Sequence, residues 1–82
     1  LIQGDHMKKL LSDLNVGDTC IIKSINMEEI KKRRLFHLGV MKDNSITCKF
    51  KSMFNDPIAY QVNNTIFTLR KKDASKIEVT YE

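Results

Sequence analysis

The sequence predicts a small, mainly β fold: a five-stranded barrel with one helix inserted after the first strand. Three observations predict it. Residues 45–51 and 58–62 alternate apolar and polar side chains, which turns one face of each strand toward a core. Residues 28–38 hold no Gly or Pro and are rich in good helix formers, and Gly39 stands where such a helix stops. Asn63-Asn64 separates two short β-prone runs with the spacing of a tight hairpin.

The elements follow in order. Lys8 to Asp18 reads as a lead-in, with a short helical turn around Leu10 to Leu14 and then Asn15-Val16-Gly17-Asp18, whose Asn and Gly suit a turn. Thr19 to Ile25 is β-branched and apolar, a first strand. The helix, Glu28 to Leu38, places its acids first and its bases later, in accord with the helix dipole. Met27, Ile30, Leu35 and Leu38 form its apolar stripe, and Phe36 points the opposite way. Arg34 falls inside that stripe, where an unpaired charge is costly, so it is expected to hold a structural hydrogen bond. Beyond the polar turn Lys42-Asp43-Asn44, one strand turns Ile46, Cys48 and Phe50 inward and the next turns Ile58, Tyr60 and Val62 inward. Thr65 to Arg70 completes the hairpin, Lys71 to Ser75 is a helical link, and Ile77, Val79 and Tyr81 mark the last strand.

A chain of 82 residues is one domain at most. Leu1 to Met7 has the composition of an expression-tag remnant, which leaves residues 8–82 as the folding unit. A core of that size stabilises by only a few kcal/mol and leaves little from which to build a buried catalytic pocket. The net charge is +4, with bases gathered at Lys31-Lys32-Arg33-Arg34 and at Arg70-Lys71-Lys72. Such clusters attract phosphates, acidic protein surfaces or lipid head groups, although most of them are simply solvated faces. Neither a signal peptide nor a long apolar stretch is present, and the two cysteines, Cys20 and Cys48, lie within apolar runs. They are expected to be reduced core residues of a cytoplasmic protein.

Enzyme chemistry finds no support: there is no phosphate loop and no nucleophile motif, so no catalytic residue is assigned and no cofactor is expected. Cys20, His37 and Cys48 would supply three metal ligands, but their spacing matches no closed structural site, and no metal residue is assigned either. Phe50, Tyr60 and Tyr81 fall on the apolar faces of their strands, which argues for core and against a stacking platform for nucleic acid. The candidates for partner binding are Met53, Phe54, Phe36, Arg33 and Lys32. Met53 and Phe54 stand at a turn tip that alternation does not explain, and exposed aromatics mark interfaces. A second reading folds Phe54 back over the barrel mouth as a lid.

Four stretches together resemble the FeoA family, the small protein A of bacterial ferrous-iron transport. They are Leu11 to Asp18, Arg33 to Val40 with its Leu35-Phe36-His37-Leu38-Gly39, Asn55 to Val62 with its Asp56-Pro57-Ile58, and Thr68 to Val79 with its Leu69-Arg70 and Ala74. Two glycines usual in the family's turns are replaced, by Asn44 and by Asn63 or Asn64, and Asn is the best substitute where φ is positive. The resemblance implies an SH3-like barrel beside the membrane GTPase that imports ferrous iron, binding and regulating that transporter as a monomer or weak oligomer. The same domain ends iron-dependent repressors, so a stand-alone regulatory domain of that kind is the alternative, and a small nucleic-acid-binding barrel is a third.

Overall fold

Alternation in the sequence becomes one antiparallel sheet. In the computed structural model, which describes residues 9–81, the strands are β1 (Lys9–Leu10), β2 (Thr19–Ile25), β3 (Ser45–Lys51), β4 (Ile58–Val62), β5 (Thr65–Leu69) and β6 (Ile77–Thr80). Their order across the sheet is β1-β6-β2-β3-β4-β5. Helix α1 (Glu29–His37) lies between β2 and β3, and a short α2 (Lys71–Ala74) links β5 to β6. The sixth strand is the two-residue β1, which pairs Lys9 with Val79 and Leu10 with Glu78. A partner that short carries no alternation for sequence to show. The tag assigned to residues 1–7 lies outside the described residues, among which no helix is long and apolar enough to cross a membrane.

The core gathers where the alternation points. Ile22, Ile46, Cys48, Ile58, Tyr60, Val62, Ile77 and Val79 are buried, and the lead-in adds Leu11 and Leu14 from its 3-10 turn. Gly39 has φ +95°, a left-handed conformation that glycine adopts without strain, and it packs against β4: a Cβ there would stand 3.0 Å from Val62 Cγ1. Asn44 fastens the same corner, its Nδ2 donating to the Gly39 carbonyl at 2.7 Å. The left-handed residue in that turn is Asp43, at φ +77°, so Asn44 is not needed there for a left-handed backbone; it holds the corner by its side chain and by its carbonyl, which accepts the Ile22 amide at 2.9 Å. Asn63 does take the left-handed conformation in the hairpin, at φ +55°.

Four side chains depart from the expected pattern. The β3–β4 register shifts between Cys48 and Phe50, so that Phe50 stands opposite Ala59 instead of Ile58. A bulge of one residue turns everything beyond it to the other face, and Phe50 is 54% exposed instead of core. Tyr81 lies just past β6 and is exposed, its hydroxyl donating to Asp18 Oδ2 at 3.1 Å. On α1 only Leu35 is fully buried; Met27 and Leu38 pack at the edge of the core and Ile30 is exposed. Arg34 is exposed as well, and among the described residues its side chain makes no hydrogen bond. The buried stripe of α1 is narrower than the projection implied, because a short helix lying across a small sheet touches it along one line.

Candidate functional site

The β2 strand end, α1 and residues 40–42 enclose an open groove of about 660 Å³. Its apolar lining comes from Ile25, Val40, Met41 and Phe36, and its basic rim from Lys23, Lys32, Arg33 and Lys42, with Glu29 the one acid. Phe36 is 56% exposed and stands edge-on to His37, with ring centroids 6.2 Å apart. Three of the candidate residues, Lys32, Arg33 and Phe36, therefore share one groove, because positions three and four apart lie together on a helix. Lys23 and Lys42 were missed, since they reach the groove from strand and loop positions that only the fold brings near α1. Lys31, from the same basic run, faces away and pairs with Asp73 at 3.3 Å.

Met53 and Phe54 line neither this groove nor the smaller one between α1 and the β4–β5 end. They sit in a 3-10 turn, Met53–Asn55, between β3 and β4. Phe54 and Asn55 both have φ +62°, and Phe54 is 88% exposed. The lid reading is thus wrong: the ring projects into solvent and covers no core residue. The tip is tied down at its base, where Asp56 Oδ1 accepts the Lys71 amide at 3.0 Å and lies 3.9 Å from Arg70 Nη1.

Cys20 and Cys48 are free and buried, and burial pushes both thiols above their usual range. They are poor nucleophiles there. His37 is exposed on α1, and among the described residues no three His, Cys, Asp or Glu side chains come together as a metal cluster. The chemistry on offer is that of a surface: the exposed rings of Phe36 and Phe54, with Phe50 and Tyr81 exposed elsewhere on the domain, the Met53 side chain, and a basic rim of Lys23, Lys32, Arg33 and Lys42 suited to an acidic partner.

A six-stranded antiparallel sheet with one helix between β2 and β3, and an exposed apolar and basic surface, defines a small SH3-like domain. The comparisons agree. A family model described as the FeoA domain matches residues 9–81. The solution structure of FeoA from Chlorobium tepidum superposes with a TM-score of 0.84 at 29% identity, over 89% of this chain and 70% of that one. A zinc complex of Stenotrophomonas maltophilia FeoA, described as a prokaryotic SH3-domain protein, superposes at 0.76 with 27% identity, over 87% and 88% of the two chains. A ferrous-iron transport protein A/transporter FeoB fusion from Porphyromonas gingivalis is 30% identical over 69 residues. Those residues are 84% of this chain and only 8% of the fusion's length. The chain belongs to the FeoA domain family.

Proposed function

We propose that this protein is a small cytoplasmic accessory component of ferrous-iron uptake, which binds the membrane ferrous-iron transporter GTPase and regulates it through protein contacts, with no catalysis of its own. The observation that carries this reading is the Porphyromonas fusion, whose name joins a transport protein A to a ferrous-iron transporter in one polypeptide. Covalent linkage holds two parts at high effective concentration, which favours contact between them. The surface supports the same reading. The exposed rings of Phe36 and Phe54 are suited to filling a partner's pocket, and Lys32 and Arg33 beside Phe36 would speed encounter with an acidic face. The test is capture of the cognate transporter from membranes by the purified protein, with and without guanine nucleotide. Capture that depends on nucleotide supports a regulatory contact; no capture in any nucleotide state removes the reading.

A further inference from the structure

Strand β5 ends the sheet order and is bonded to β4 alone. The two-residue turn at Asn63-Asn64 fixes its hydrogen-bond phase. In such a hairpin the flanking pair, Val62 and Thr65, exchanges both bonds, and the alternate pairs Tyr60–Phe67 and Ile58–Leu69 repeat it. The amides and carbonyls of Ile66 and Thr68 therefore point away from β4. Among the described residues no loop, turn or side-chain group bonds to them. Ile66 is also 60% exposed. Edge strands are ordinarily guarded by Lys, Pro, a bulge or a covering element. Residues 63–69 carry no charge and no proline, and the β5 register runs unbroken. Shortness is the remaining guard.

We infer that this edge is a self-association site, at which two copies of the chain pair their β5 strands antiparallel about a two-fold axis centred on Phe67. In that register Ile66 of one copy exchanges bonds with Thr68 of the other, and the reverse, while Phe67 faces its own counterpart. Registers displaced by two residues in either direction leave a single bonded pair within β5, Thr68 with Thr68 or Ile66 with Ile66, in place of two. The centred register also brings Arg70 of each copy up to the Asn63-Asn64 turn of the other, so the basic residue that follows β5 meets neutral amides and not its own counterpart. A contact of five residues is short, so the pairing is weak and rises with concentration. This inference stands apart from the transporter reading, since it concerns a different surface and needs no second protein.

Sedimentation equilibrium of the full chain, from micromolar to millimolar, should show the mass climb from 9.5 kDa toward twice that value. The double variant Ile66→Lys/Thr68→Lys opposes lysine to lysine across the axis and should stay monomeric. Ile66→Lys/Thr68→Glu opposes lysine to glutamate in the same register and should regain the dimer. Both positions are exposed, and a thermal melt checks that each variant is folded. Wild-type protein that remains monomeric throughout overturns the inference, whether or not some other chain takes the edge. A dimer untouched by the lysine pair, or two double variants that behave alike, overturns it as well.

Discussion

The Tyr60 hydroxyl donates to the Leu11 carbonyl at 3.2 Å, joining the centre of β4 to the 3-10 turn that opens the domain. Leu11 keeps a second donor in the Leu14 amide, so its carbonyl is not stranded when the hydroxyl is removed. Tyr60→Phe should cost about 0.5–1.5 kcal/mol at neutral pH, the ordinary net worth of one hydrogen bond.

The same residue gives a pH dependence with a definite sign. Burial pushes the Tyr60 hydroxyl well above the usual tyrosine value of 10.0. The folded protein then keeps a proton that the unfolded chain releases. Its contribution is complete below about pH 10 and is lost as pH rises beyond, with a limiting slope of about 1.4 kcal/mol per unit. Urea midpoints between pH 7 and 11 should fall more steeply for wild type than for Tyr60→Phe. Parallel curves would show that another group sets the alkaline limit.

Gly39 and Gly17 separate backbone strain from crowding. Both are left-handed, with φ +95° and +96°, but a Cβ at Gly17 meets nothing within 4 Å while one at Gly39 presses on Val62. Gly17→Ala should cost about 1–2 kcal/mol, the conformational penalty alone. Gly39→Ala should cost more, since Val62 sits in a packed core with little room to yield. Equal losses in chemical denaturation would mean that Val62 moves aside freely.

Phe54→Ala and Phe36→Ala should each weaken transporter capture by more than tenfold, about 1.4 kcal/mol or more, while moving stability by no more than ~0.5 kcal/mol. Lys32→Ala should act mainly at low salt, where rim charges steer encounter. A large fall in melting temperature for either Phe variant would recast its ring as structural.

Both thiols are buried and held protonated, so a thiol-reactive disulfide reagent should label Cys20 and Cys48 only as fast as the domain opens. Cys20→Ser or Cys48→Ser places a hydroxyl where no water reaches and should destabilise by about 1–3 kcal/mol. Rapid labelling under native conditions would contradict that burial.

What the sequence disclosed, and what it hid, divides along one physical line. Ile46, Cys48, Ile58, Tyr60 and Val62 were legible because strand alternation is a local property, and Gly39 and the Asn63 hairpin were legible because turn chemistry is local too. Phe50 was misread because a bulge depends on the partner strand. Ile30 and Arg34 were misread because the width of a helix's buried stripe depends on what it lies against. The surface divides in the same way. Lys32, Arg33 and Phe36 share a helix face and could be grouped from spacing alone. Their neighbours Lys23 and Lys42 could not, and Met53 and Phe54 proved to stand apart from that groove.

The backbone at Phe54 sits in a region that bulky residues avoid, at φ +62° and ψ +19°, and its ring rests in water. Glycine there would relieve about 1–2 kcal/mol of conformational penalty and give up no core packing. A thermostability screen over this domain would therefore discard the aromatic at position 54 early, and would return a hardier protein with a blunted tip. Directed-evolution libraries built for robustness alone would erase that surface without any sign of trouble in the melting curve.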